Sequence, residues 1–268
     1  MCYFHVKDRY SLEDVILLVK LLRDKEHGCP WDMKQTHESV RQNFIEEVYE
    51  AVEAIDRDDP DILAEELGDV LLQVALHAEI ANEAGHFDID DIADVLCKKL
   101  VLRHPHIFAD IPATSADEVL SNWEDIKRDE KAQSSGTDAI EDIPKSMPVL
   151  MRSQKVQKRA AYVGFDYPDV NMAADDLKTE VKELVQALSN DGNVLEEIGD
   201  VIFSAVNVAR LSGLDAELAA ERACKKFIER FRVTEELSVQ QGIDMKNCGI
   251  DKLNELWSKA KRALKDAE

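Results

Sequence analysis

Apolar residues recur at steps of three and four along most of this chain, which is the period of an amphipathic helix. The pattern predicts eight long helices, with apolar faces running from Leu12 to Leu22, Phe44 to Ile55, Ile62 to Ile80, Ile89 to Leu102, Leu177 to Leu188, Val194 to Leu211, Leu218 to Leu237 and Ile250 to Leu264. Gly85 and Gly213 stand where two of these helices should end. The sequence has no alternating run of strand length, so it predicts an all-α protein.

The second half of the chain repeats the first half. EEVYEAVEAI from Glu46 matches TEVKELVQAL from Thr179, and LAEELGDVLLQVAL from Leu63 matches VLEEIGDVIFSAVN from Val194. A polar stretch without a helical period lies between the two copies. We therefore predict a tandem repeat of two helical-bundle domains, at residues 1–131 and 147–268, joined by a short polar linker at 132–146.

The charge balance narrows the choice of partners. The chain has 55 acidic and 33 basic residues, for a formal net charge of −22, which disfavours binding to a nucleic-acid polymer. The longest apolar stretch is too short and too polar to span a membrane. Five scattered cysteines without a CxxC pair, and a polar N-terminus without a secretory signal, predict a cytoplasmic protein.

The most distinctive shared feature of the two copies is an E-x-x-E pair on one helix followed by E-x-x-D on the next. Residues three apart lie on one helix face, so antiparallel packing of the two helices would bring four carboxylates together. Four such groups repel one another unless a cation is present, and carboxylate oxygens suit Mg²⁺ or Mn²⁺. The predicted metal ligands are Glu47, Glu50, Glu66 and Asp69 in the first copy, and Glu180, Glu183, Glu197 and Asp200 in the second.

The alternative is an ordinary solvated acidic face. Such a face usually places Lys or Arg four residues after each Glu. Here none of the residues at those positions is basic and most are apolar, as at Ala51, Ala54 and Val70. The acids therefore border a packed face, which favours the metal interpretation.

These motifs resemble those of the all-α nucleoside triphosphate pyrophosphohydrolases of the MazG type. The resemblance rests on EExxE followed by ExxD, on GCPWD at residues 28–32 and on RHPHIF at residues 103–108, and it extends over nearly the whole chain. It implies hydrolysis of nucleoside triphosphates (NTPs) to nucleoside monophosphates and pyrophosphate. It further implies dependence on Mg²⁺, a role in nucleotide-pool housekeeping and a homodimer.

The resemblance also implies roles for individual residues. It gives the eight acids above as metal ligands, and the nucleotide-binding residues as Lys226, Arg230 and Trp257, with Lys99, Arg103 and Trp123 at the equivalent places of the first copy. Trp31, in a loop, is expected to cover a pocket. Glu46 or Glu47 is our prediction for the general base. Thr179 replaces Glu46 in the second copy, so the sequence leaves open which copy is active.

Other interpretations stay open at this point. Lys226 and Arg230 also fit a solvated basic edge, and Trp123 and Trp257 also fit core positions. A pyrophosphatase of narrow dUTPase or dCTPase type, or a non-catalytic sensor of nucleotides or metal, would use the same acids. Base and sugar preference, the number of metal ions and the phosphorus attacked are not determined by the sequence.

Overall fold

Helices dominate the computed structural model, which describes residues 4–109, 115–130, 135–190 and 192–265. The α-helices are α1 (Leu12–Leu22), α2 (Arg41–Asp56), α3 (Pro60–Glu83), α4 (Ile89–Arg103), α5 (Pro105–Phe108), α6 (Ala116–Glu130), α7 (Gly136–Glu141), α8 (Val149–Tyr162), α9 (Val170–Ser189), α10 (Val194–Leu211), α11 (Ala216–Gln240) and α12 (Ile250–Lys265). A 3₁₀ turn (Asp32–Lys34) lies between α1 and α2. No strand occurs in the described ranges, so the all-α prediction is confirmed.

Local sequence signals account for where the helices begin and end. Asp59 caps α3 by accepting hydrogen bonds from the main-chain N–H groups of Asp61 and Ile62, and Pro60 follows at the first helical position. Gly85 and Gly213 have φ values of +71° and +72°, directly after α3 and α10. Such left-handed backbone favours glycine, so the two predicted helix ends are confirmed.

Contacts divide the chain into an N-terminal unit (Met1–Lys127) and a C-terminal unit (Arg128–Glu268). In the N-terminal unit, α2 packs along α3, and α1 and α4 also contact α3. Its core contains Val19, Val40 and Leu76, each at most 5% exposed. The central helix of this unit is therefore α3.

In the C-terminal unit, α9 packs along α10, and α8 contacts both α10 and α11. Helix α12 packs on α11, where Leu256 and Ala260 are fully buried. The pair α9–α10 thus takes the place that α2–α3 has in the N-terminal unit, as the repeat predicts.

The segment predicted as a linker contains a short helix, α7. Ser135 accepts a hydrogen bond from the Asp138 main-chain N–H, and its own N–H donates to the Asp138 carboxylate. Ala139 and Ile143 are buried, and α7 packs on α8. Residues 132–134 of the predicted linker lie outside the described residues.

None of the described helices combines the length and the apolar character that a bilayer crossing requires.

Candidate metal centre

The N-terminal unit brings three predicted ligands together. Carboxylate oxygens of Glu47, Glu66 and Asp69 all lie within 4.8 Å of one another. Glu47 comes from α2 and the other two from α3, across a tight turn in which Asp58 has a φ of 54°. The turn reverses the chain, so the acidic faces of the two helices meet.

The C-terminal unit forms a similar group from the matching helices. Carboxylate oxygens of Glu180 and Glu183 on α9 and of Glu197 on α10 lie within 4.8 Å of one another. Three oxygens at this spacing, from two helices, are able to share one divalent cation.

The fourth acid of each predicted set, Glu50 or Asp200, lies outside these groups of three, but its charge affects the pKa values of their members. The charge of Glu50 raises the pKa of both Glu47 and Glu66. The charge of Asp200 raises the pKa of both Glu180 and Glu197. All eight predicted ligands thus belong to two electrostatically connected clusters, one in each unit.

Burial is the largest cause of the raised pKa values, and neighbouring carboxylates come next. Loss of hydration raises the pKa of Glu47, and the charges of Asp69 and Glu50 add to it. Loss of hydration also raises the pKa of Glu180, followed by the charge of Glu183. Crowded carboxylates without a cation disfavour their ionised forms. Hard divalent cations fit this donor set, because they remove the repulsion and prefer oxygen ligands.

The two candidates for the general base differ in their surroundings. Glu47 is half-buried within the N-terminal cluster, whereas Glu46 is exposed and accepts a hydrogen bond from the Gln42 side chain at 3.4 Å. Glu46 makes only a small contribution to the raised pKa of Glu47. Of the two, Glu47 is the one the structure puts among the ligands.

The predicted nucleotide-binding residues lie on other elements. Lys226 is exposed and Arg230 half-buried on α11, and the Trp257 ring of α12 lies 5.1 Å from the Phe227 ring. In the described part of the chain, neither basic side chain forms an ion pair with a cluster acid. Their role in nucleotide binding stays a prediction.

Their N-terminal counterparts lie on or near α4, α6 and the 3₁₀ turn. Lys99 borders an open hollow of about 470 Å³ along α4, and Arg103 is the last residue of that helix. The Trp123 ring lies 5.7 Å from the ring of His104. Trp31 is 60% exposed just before the 3₁₀ turn. These four residues also keep the status of predictions.

Sequence reasoning missed polar residues that stand one helical turn beyond the ligands. Gln73, four residues after Asp69, forms a side-chain hydrogen bond with Glu47 that lowers the Glu47 pKa. Ser204, four residues after Asp200, donates a hydrogen bond to the Asp176 carboxylate at 2.9 Å. A search for polar residues four positions from each ligand would have found both.

A cavity of about 540 Å³ adjoins the acidic cluster of the C-terminal unit. Asp176 lines it, one turn before the ligand Glu180, and the Asp176 charge raises the Glu180 pKa. The Tyr167 hydroxyl is hydrogen-bonded to Asp176 and also lines the cavity. Small-molecule sites usually have volumes of about 300–1,000 Å³, so this unit has a ligand-sized space whose wall begins one helical turn from its clustered carboxylates.

Comparison with known proteins agrees with this geometry. The family model for the MazG nucleotide pyrophosphohydrolase domain matches residues 35–108 and 171–233, which contain α2–α3 and α9–α10 with both clusters. The matched model is that of a class of nucleotide hydrolases.

Individual relatives match over nearly their whole length. The nucleoside triphosphate pyrophosphohydrolase of Escherichia coli strain K12 is 42% identical over 94% of this chain and 97% of its own length. The nucleoside triphosphate pyrophosphohydrolase/pyrophosphatase MazG of Thermotoga maritima is 43% identical over 93% of this chain and 95% of its own. This chain belongs to the MazG family of nucleotide pyrophosphohydrolases. The family and the enzyme class predicted from its motifs are thereby confirmed.

Proposed function

We propose that this chain hydrolyses NTPs to nucleoside monophosphates and pyrophosphate at the C-terminal cluster, with Mg²⁺ or Mn²⁺ as the cofactor. The observation that carries the proposal is the convergence of Glu180, Glu183 and Glu197 beside a ligand-sized cavity. The names of the relatives support the reaction. The site is strongly acidic, so it would repel a bare triphosphate and can bind one only through a cation.

The residues of the site have different roles in the proposed reaction. When bound, Mg²⁺ neutralises phosphate charge and lowers the pKa of a water molecule. Glu180, Glu183, Glu197 and Asp200 would hold the cation. Thr179 stands where the first copy has Glu46, so Glu180, the counterpart of Glu47, is the carboxylate we assign to accept the proton of the attacking water.

The N-terminal cluster supports metal binding, whereas its surroundings argue against turnover there. When the two copies are aligned so that Asp69 matches Asp200, Gln73 matches Ser204 and Leu76 matches Asn207. Leu76 packs with Val19 and Val40 in the core of its unit, whereas its counterpart Asn207 lines the cavity of the C-terminal unit. We therefore assign catalysis to the C-terminal unit.

A homodimer is part of the same proposal. Val181, Val185 and Leu188 form a stripe along α9 and are 43%, 57% and 64% exposed. The positions i, i+4 and i+7 lie on one helix face, and such an exposed apolar stripe is typical of a protein–protein interface. Light scattering should give twice the chain mass, and Val185→Lys should shift the protein towards monomer. A monomeric mass for the unmodified chain would refute the dimer.

We infer that the enzyme acts in nucleotide-pool housekeeping in the cytoplasm. Cys29, Cys97, Cys224 and Cys248 are unpaired, which fits a reducing compartment. Housekeeping implies a broad substrate range over common and damaged NTPs, and a dUTPase- or dCTPase-type enzyme would accept one base.

The test is a pyrophosphate-release assay on the eight common ribo- and deoxyribonucleoside triphosphates, with Mg²⁺, with Mn²⁺ and with excess EDTA. We expect turnover of several substrates with either cation and none with EDTA. Turnover of one nucleotide alone would favour the narrow-specificity alternative. Mg²⁺-dependent nucleotide binding without pyrophosphate would favour the sensor and contradict our proposal.

A further inference from the structure

Two amide side chains in the wall of the C-terminal cavity use one polar atom in a hydrogen bond within the protein, while the other polar atom has no partner among the described residues. Gln157 on α8 is only 6% exposed, and its Nε2 donates a hydrogen bond to the Phe203 carbonyl at 2.8 Å. Its Oε1 is buried and has no hydrogen-bond partner within the described part of the chain. A buried acceptor without a partner is costly. Because Gln157 also lines the cavity, a small rotation of its amide would let Oε1 accept from a ligand donor and relieve this cost.

Asn207 on α10 has the complementary arrangement. Its Oδ1 accepts hydrogen bonds from Nε and Nη2 of Arg210, at 2.9 and 2.7 Å. The Arg210 guanidinium is held in turn by both carboxylate oxygens of Asp166. This fixes the orientation of the Asn207 amide. Its Nδ2 donates no hydrogen bond to any residue that the structure describes, so a donor is left over at the cavity wall.

Asn207 lies at a suitable distance from the acidic cluster. Asp200, Ser204 and Asn207 follow one another along α10, and Ser204 and Asn207 line the cavity. A helix rises about 1.5 Å per residue, so Asn207 is roughly 10 Å along the axis from Asp200. The cavity therefore extends from the carboxylates towards the amides, as a nucleotide extends from its phosphates to its base.

We propose that this cavity holds the nucleobase of the substrate, with Gln157 Oε1 accepting from an amino or ring N–H group and Asn207 Nδ2 donating to a ring nitrogen or carbonyl. Gln157 and Asn207 are then specificity-determining residues. The Tyr167 and Phe203 side chains line the same cavity and offer aromatic surface to a planar base. This inference rests on the proposed function, because it takes the triphosphate to lie at the C-terminal cluster.

The experiment removes the two partners of the proposed hydrogen bond in turn, first the amino group of the base and then the Gln157 amide. We would measure kcat/KM for ATP and for purine riboside triphosphate, which lacks the exocyclic amino group, and for CTP and its 4-deamino analogue. The unmodified enzyme should prefer the amino form in at least one pair by about tenfold, the value of one neutral hydrogen bond. Gln157→Leu should treat both members of that pair alike.

The matched control is Gln154→Leu, one turn earlier on α8. Gln154 uses both ends of its amide inside the protein, donating to the Leu214 carbonyl at 3.0 Å and accepting from the Ala216 N–H at 2.9 Å. This variant should keep the preference for the amino form, whatever its effect on Tm.

The possible failures are distinguishable. If the unmodified enzyme released no pyrophosphate from any NTP, the proposed function itself would fail. If it turned over NTPs but did not discriminate within either pair, or if Gln157→Leu kept the discrimination, only the base pocket would be wrong. Gln157→Leu should retain the increase in Tm that Mg²⁺ produces and the mass of the unmodified protein. Loss of either would mean that Gln157 serves the fold or the dimer, and would overturn the assignment.

Discussion

The two units of this chain have the same acidic helix pair but different interiors beside it. In the N-terminal unit, Leu76 packs with Val19 and Val40 in a closed core. In the C-terminal unit the matching position is Asn207, which lines a cavity of about 540 Å³. A cluster of carboxylates predicts a cation, whereas only the adjoining space decides whether a nucleotide reaches that cation.

The largest expected effect tests which unit is active. Glu197→Gln removes a ligand of the C-terminal cluster and should lower kcat by about 1,000-fold, because cation and triphosphate are no longer held together. Glu66→Gln, the same change in the N-terminal cluster, should leave kcat within about twofold. Pyrophosphate release at saturating Mg²⁺ measures both, and the reverse result would show that the closed interior is the active one.

The next effect concerns stability in the N-terminal unit. Arg23 is buried and its guanidinium donates to both carboxylate oxygens of Glu83, at 2.7 and 2.8 Å. Arg23→Met leaves Glu83 without its partner and should lower the free energy of unfolding by about 3 kcal/mol. Urea denaturation measures this loss, while kcat under native conditions should stay unchanged if catalysis belongs to the other unit.

The control for this change is Arg57→Met. Arg57 pairs with Glu53 at 2.6 Å in the same unit, but both side chains are more than half exposed. Exposed pairs of this kind contribute about 0.5 kcal/mol or less. Equal losses in the two variants would contradict the role we give to burial.

Cation binding should stabilise both units. A cation at about 100 times its dissociation constant adds roughly 2.7 kcal/mol per site, so Mg²⁺ should raise Tm relative to EDTA. Glu66→Gln and Glu197→Gln should each remove part of this increase. If Glu66→Gln removed none of it, the N-terminal cluster would be an acidic surface without a cation.

The smallest effect is a gain in stability at neutral pH. Burial and neighbouring acids raise the pKa of Glu180, so ionised Glu180 destabilises the folded protein in EDTA at every pH above that raised pKa. Glu180→Gln should therefore raise Tm slightly at pH 8. The gain should disappear as the pH falls through the raised pKa towards the ordinary one, since the folded state then binds the proton.

Glu255→Gln should show the opposite sign. Hydrogen bonds from Lys252 and Lys259 lower the Glu255 pKa to about 2, so ionised Glu255 stabilises the folded state above its unfolded pKa. Its replacement should lower Tm at pH 8. The loss should shrink as the pH falls towards 2. The same sign for both variants would contradict the electrostatic description of the cluster.

Much of the fold followed from periodicity because amphipathic faces and caps are local. Helices α1 and α10 begin and end where the pattern predicts. Helix α9 begins at Val170, earlier than the predicted Leu177, because Asp169 caps it and its first turns carry few large apolar residues. Helix α7, within the predicted linker, is similarly held by its cap and two buried residues.

The acidic clusters could also be predicted, because spacing alone puts three-apart residues on one face. The cavity could not, since it depends on how side chains from α8, α9 and α10 fill a shared interior. Gln157 has no distinctive signal in the sequence, and only its burial and its unpaired Oε1, together with its place in the cavity wall, single it out.

The adjacency of Asp176 to Glu180 on one rigid helix has a consequence for substrate length. Because α9 and α10 carry both the carboxylates and the cavity wall, the distance from the carboxylates to the cavity is set by helical rise and not by a flexible loop. If the triphosphate lies at the carboxylates and the base in the cavity, as we propose, a molecule with one phosphate fewer would span the same distance with a shorter tail. It would then engage either the base end or the acid end at full strength, but not both, so the enzyme would select substrates by length as well as by charge.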